Sequence, residues 1–181
     1  MLCVIGIVAA TTLRAAVGAP NVAASMPAGV VFAVALLVVA AAAGWRPGRP
    51  SFAAVGIGAF GGGALVGAWL LAHTGPGLVV APLNSGLALW TPVVAFVAVA
   101  EEVALRGGLF NAVRSGWGDG AALAVTTILF AAMHVPLYGI GSLPLDLAAG
   151  LLLGGLRVVS GGVLAPAVAH VAADLVGGWL L

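Results

Sequence analysis

Two adjacent carboxylates, Glu101 and Glu102, end the uncharged run TPVVAFVAVA, and Arg106 follows four residues after Glu102. A carboxylate in hydrocarbon is costly unless it is paired or faces a polar cavity, so acids at such depth mark a functional site. Three more polar side chains stand in the apolar second half: His134 in FAAMH, and His170 and Asp174 in HVAAD. A buried carboxylate beside imidazoles can take a proton from water and return it to a leaving group, which is the chemistry of hydrolysis. The same donor types also admit a metal: Glu101, His134 and His170 can supply a two-histidine, one-carboxylate zinc site with an open position for water. No HExxH is present and the three would come from separate helices, so both chemistries stay open.

The solvent around these groups follows from composition. With 63% hydrophobic residues, 6% charged residues and a mean hydropathy of +1.25, the 181-residue chain has too little polar surface for a water-soluble globule. An all-α, multi-pass membrane bundle is expected, in a bacterial-type cytoplasmic membrane, with the lipid bilayer and a membrane-associated protein or peptide as partners. Six arginines without a lysine form no basic tract, which argues against nucleic acid. The single cysteine, Cys3, excludes an internal disulfide. The first stretch lacks a basic leader and carries Arg14 late, so it is expected to be a first membrane helix rather than a secretory signal.

Apolar runs broken by Gly, Pro and Arg place seven spans, at about 2–19, 27–44, 52–72, 90–114, 120–136, 143–159 and 162–181, within one domain covering 1–181. GWRPGRPS and RSGWGDG are expected as tight polar turns, and the Gly/Pro-rich stretch 73–86 as a longer connection holding a solvated His73. Arg46, Arg49, Arg114 and Arg157 then share one side, which the positive-inside tendency makes cytoplasmic, with Arg14 as the exception. Gly58/Gly62, Gly63/Gly67 and Gly150/Gly154 have the spacing of close helix contacts. Trp90, Trp117 and Trp179 fall near span ends and suit the membrane interface, and Asp146 fits a first-turn acid favoured by the helix dipole.

These elements can bring the polar groups together. Glu101 lies about sixteen residues before Trp117 and His134 about seventeen after it, so on antiparallel helices rising about 1.5 Å per residue both sit at matching depth. His170 falls near the middle of the last span, and Asp174, four residues on, shares its face. The acids and both histidines are therefore expected to line one cavity.

In order, EEVALRGGLF, FAAMHVP and APAVAHVAADLVGG resemble the three motifs of the CPBP family of intramembrane proteases, which includes the type II CAAX prenyl endopeptidases and bacteriocin-processing proteins. The resemblance covers about residues 90–178. It implies an endopeptidase that hydrolyses a peptide bond of a membrane-associated substrate, built on about eight helices. It also implies Glu101 as the base that activates water, His134 as its helper, and His170 with Asp174 at the developing oxyanion, Asp174 fixing the His170 tautomer. Many relatives carry Asn at the position of Asp174. Glu102 is expected to pair with Arg106, and Phe130 to shape the cavity wall. A purely structural role for the pairs Glu102/Arg106 and His170/Asp174 as interhelical clasps is the competing reading. So is a small ion- or proton-coupled transporter, or a silent scaffold or immunity protein. Against transport, the acids cluster in one half of the chain.

Overall fold

The computed structural model describes residues 1–19, 21, 25–72 and 85–179. Residues 73–84, and with them His73 and most of the connection at 73–86, lie outside the described residues. Seven α-helices follow one another: α1 (Leu2–Gly18), α2 (Met26–Ala42), α3 (Phe52–Ala72), α4 (Ser85–Glu102), α5 (Phe110–Tyr138), α6 (Leu143–Ser160) and α7 (Leu164–Trp179). No strand occurs among the described residues. That outcome follows from composition, because a backbone in lipid must satisfy its own N–H and C=O groups. The stretches Phe52–Leu71, Gly86–Tyr138 and Ile140–Ser160 are long and apolar enough to cross a membrane, and α1, α2 and α7 are shorter apolar helices.

Two breaks shape the path. Between α4 and α5, Val103–Leu109 forms a seven-residue π-helical turn, and within α5 the backbone leaves helical geometry at Gly118 (φ 79°, ψ 177°). The second break falls in the expected polar turn RSGWGDG. At the start of α2, Ser25 caps the helix by accepting from the Ala28 N–H, with Pro27 in the first turn.

Helix packing runs through small residues. α3 lies along α7, α5 along α6, α1 along α2, and α4 contacts both α2 and α7. A Cβ at Gly58 would meet the Ala165 carbonyl oxygen at 2.5 Å, and one at Gly62 would meet Ala172 at 3.0 Å, so these glycines let α3 approach α7. Gly150 sits against Thr127 and Gly154 against Leu123, joining α6 to α5. Gly63 and Gly67 correct the sequence expectation: a Cβ at either would meet nothing within 4 Å. Four-residue spacing fixes a shared face but not which face meets a neighbour, and the Gly58/Gly62 stripe takes that role in α3. Phe32, Leu36, Ile7, Leu105 and Leu153 are fully buried at the centre of the bundle. At one end, Trp179 Nε1 donates to Thr91 Oγ1 at 3.3 Å, tying α7 to α4, while Trp117 is exposed.

Candidate active site

Glu101 and Glu102 close α4 immediately before the π-helical turn, a distortion that recurs at functional sites. Glu102 Oε1 accepts from Arg106 Nη1 at 3.0 Å, both side chains being entirely buried. Arg106 Nη2 reaches on to the Gly150 carbonyl of α6 at 3.2 Å. Arg157 of α6 returns the link, its Nε donating to the Arg106 carbonyl at 2.8 Å and its Nη2 to Asn111 Oδ1 at 2.9 Å. Two arginines thus brace the π-helical turn against α6, although Glu102 Oε2 and Arg106 Nε are buried without a hydrogen-bond partner.

Glu101 points elsewhere, into a cavity of about 570 Å³ that is also lined by Phe130, His134, His170 and Asp174. Its Oε2 stands 4.0 Å from His134 Nε2 and 3.8 Å from His170 Nε2. Each imidazole has its other nitrogen engaged. His134 Nδ1 lies 2.8 Å from the Phe130 carbonyl, one turn earlier in α5, so it donates there and Nε2 is the nitrogen turned to Glu101. His170 Nδ1 lies 2.9 Å from Glu102 Oε1. Phe130 forms the wall between these groups: its ring lies 4.4 Å from the His134 ring and 5.5 Å from that of His170, with the Arg106 guanidinium 4.7 Å above it.

The sequence-derived residues therefore meet, with one difference in partnership. Asp174 was expected to fix His170, yet its Oδ2 lies 3.5 Å from Nε2, whereas Glu102 takes the Nδ1 position. One turn along α7 holds Asp174 beside the outward edge of the ring. Glu102 reaches the inward edge from α4, with a geometry that spacing within α7 could not reveal. Asp174 is also the more open group, its side chain 39% exposed against 3% for Glu101.

Three cavity residues escaped sequence reading. Arg14 of α1 is buried, with Nη1 3.6 Å from Glu101 Oε1 and its guanidinium over the Phe32 ring. Asp146, in the first turn of α6 as expected, is buried with an Oδ2 that has no hydrogen-bond partner, and it lines the same cavity. Tyr138 stacks on His134 at 5.8 Å. A lone arginine within a first apolar span was the one available signal for Arg14.

The zinc arrangement left open by the sequence is not formed: among the described residues, no group of three or more His, Cys, Asp and Glu side chains is arranged to hold a metal ion. Arg14 beside Glu101 gives that carboxylate a cationic partner already, while Glu102 on His170 Nδ1 leaves the Nε2 of that ring facing Glu101.

Comparison with curated proteins and with solved structures finds no match. The family described as "Type II CAAX prenyl endopeptidase Rce1-like" matches residues 82–176, just over half of the chain. That stretch holds Glu101, Glu102, Arg106, Phe130, His134, His170 and Asp174, and the chain belongs to this family of integral-membrane proteases.

Proposed function

We propose that the chain is an intramembrane endopeptidase that cleaves a peptide bond of a membrane-associated protein or peptide, with Glu101 as the general base. The observation that carries this reading is the approach of both histidine Nε2 atoms to one oxygen of Glu101, at 3.8 and 4.0 Å inside a shared cavity. Those separations exceed a direct hydrogen bond and suit a water bridging the three groups. The Glu101 carboxylate takes a proton from that water, and His134 orients it through the unprotonated Nε2. The oxygen then bonds to the scissile carbonyl carbon, whose π electrons move onto the carbonyl oxygen. His170, directed by Glu102, presents its Nε2 side to that oxyanion, and Asp174 beside Nε2 supports the cationic ring. When the tetrahedral intermediate collapses, the C–N bond breaks and the proton held by Glu101 passes to the leaving amine. The products are a new carboxylate terminus and a new amine terminus.

The helices are read as seven crossings, α4 running on through the π-helical turn into α5 as one crossing and the part of α5 beyond Gly118 forming the next, with the Arg46, Arg49, Arg114 and Arg157 end facing the cytoplasm. The test is a comparison of protein termini in membranes that contain the wild-type chain, the Glu101→Gln chain or neither. A terminus that appears only with wild type is expected. Identical termini in all three would remove the protease reading and favour a silent scaffold.

A further inference from the structure

Arg14 comes from α1, outside the segment that carries the family match, yet it reaches the reacting centre. Its Nη1 lies 3.6 Å from Glu101 Oε1, on the opposite oxygen from the two histidines. The residue is 8% exposed, it lines the cavity, and its Nε is buried without a hydrogen-bond partner. At 3.6 Å the contact with Glu101 is an ion pair and not a hydrogen bond. A guanidinium carries five N–H donors and remains protonated; Nε is shut off from the cavity, so the donors that a ligand in the cavity can use are those of the Nη groups. The Phe32 ring, 4.8 Å from the guanidinium carbon, holds the fork in place from α2.

We propose that Arg14 is a further catalytic residue, whose guanidinium donates to the scissile carbonyl oxygen as that oxygen becomes an oxyanion. The proposal rests on Glu101 being the base. Water attacking from Glu101 brings the carbonyl among the groups flanking that carboxylate: the His170 imidazole on one side and Arg14 on the other. Of these, His170 donates from Nε2 only when its ring is cationic, and Asp174, when ionised, offers acceptors alone. Among the described residues lining the cavity, Arg14 is the one arginine, and its charge does not depend on a proton gained during the reaction. Negative charge moves from Glu101 to the carbonyl oxygen during attack, as the carboxylate takes up the water proton. Arg14 is placed to follow that transfer, so its interaction is stronger in the transition state than in the ground state.

The experiment uses the full chain in detergent with a quenched fluorescent peptide that carries a prenylated cysteine followed by three residues. Arg14→Gln and Glu101→Gln are measured alongside wild type for kcat, KM and melting temperature. For Arg14→Gln the expected result is a fall in kcat per folded molecule of about 10²–10³-fold, the loss typical of one oxyanion donor, with KM close to wild type and the melting temperature lowered at most in part, since Glu101 loses a cationic neighbour. Unchanged kcat, or a raised KM at unchanged kcat, overturns the assignment while leaving the base in place if Glu101→Gln is inactive. A lowered melting temperature with normal turnover per folded molecule makes Arg14 a structural clasp and also overturns it. Normal cleavage by Glu101→Gln removes the underlying reading and the proposal with it, as does a wild-type chain that cleaves neither this peptide nor any membrane protein in the comparison of termini. Should Arg14→Gln not fold, Arg14→Lys retains the ion pair but not the planar fork; lowered kcat at wild-type melting temperature supports the proposal, and wild-type kcat overturns it.

Discussion

His170 Nδ1 stands 2.9 Å from Glu102 Oε1, the same oxygen that takes the 3.0 Å bond from Arg106. One carboxylate oxygen therefore ties α7 to the π-helical turn, and the twin glutamates divide their work: Glu102 is spent on two partners while Glu101 faces the cavity. Glu101→Gln should preserve volume and folding and abolish cleavage, because an amide cannot accept the water proton. Glu102→Gln leaves the buried Arg106 without its counter-charge, and breaking such a pair costs about 3–5 kcal/mol. It should lower the melting temperature and the yield, with partial loss of turnover per folded molecule as His170 loses its charged partner. Parallel assays of both variants on one reporter decide the matter. Normal cleavage by Glu101→Gln together with complete loss in well-folded Glu102→Gln would reverse the two roles.

Glycines in α3 offer a test of packing that is independent of chemistry. Gly58→Val drives a side chain into the Ala165 backbone of α7, where a Cβ would meet the carbonyl oxygen at 2.5 Å, and overpacking of this kind costs about 1–3 kcal/mol. Gly63→Ala, with nothing within 4 Å of its Cβ, should stay within about 0.5 kcal/mol of wild type. Melting in the same detergent reads both. Equal destabilisation by the two would contradict the observed α3–α7 contact face.

Depth made much of the site legible. Glu101 and His134 flank one turn at nearly equal distances, so antiparallel helices had to bring them level, and the four-residue step from His170 to Asp174 put both on one face. The helices themselves were marked by apolar length. Arg14 was not legible in this way, since its partner Glu101 is remote in sequence and no spacing rule links a charge in one membrane helix to another in a distant one. The Glu102–His170 contact was hidden for the same reason. The π-helical turn left no trace because a segment apolar on nearly every face carries no periodic signal to reveal an extra residue per turn. Gly63 and Gly67 misled because nearly every face of α3 is apolar, which lets several small-residue stripes compete for one interface.

Prolonged chelation should leave cleavage intact, and purified active protein should contain far less than one equivalent of zinc. The reason lies in the partner already present: Arg14 places a positive charge beside Glu101, where a divalent cation would be repelled. Turnover and metal content are measured on the same samples before and after chelation. Activity lost on chelation and restored by zinc alone would turn Glu101, His134 and His170 into metal ligands.

Gly107 tests whether the π-helical turn transmits packing to the site. A Cβ there would run into the Trp45 indole, which lies beyond the end of α2, while a Cβ at Gly108 next to it would meet the Ala40 backbone at 3.3 Å. Gly107→Val must therefore push Trp45 aside or move the turn, and the turn carries Arg106, whose guanidinium holds Glu102 and, through it, His170. The expected outcome is a lowered melting temperature with a loss of turnover per folded molecule. Trp45→Ala makes room at the indole. In the double variant the valine then fits, so part of the Gly107→Val defect should disappear, with a coupling of about 0.5–3 kcal/mol as found for residues in contact. Melting temperature and kcat of the four chains close the cycle. Strictly additive effects would mean that the two residues do not press on one another, and unchanged kcat in Gly107→Val would mean that the turn does not position the Glu102–His170 pair.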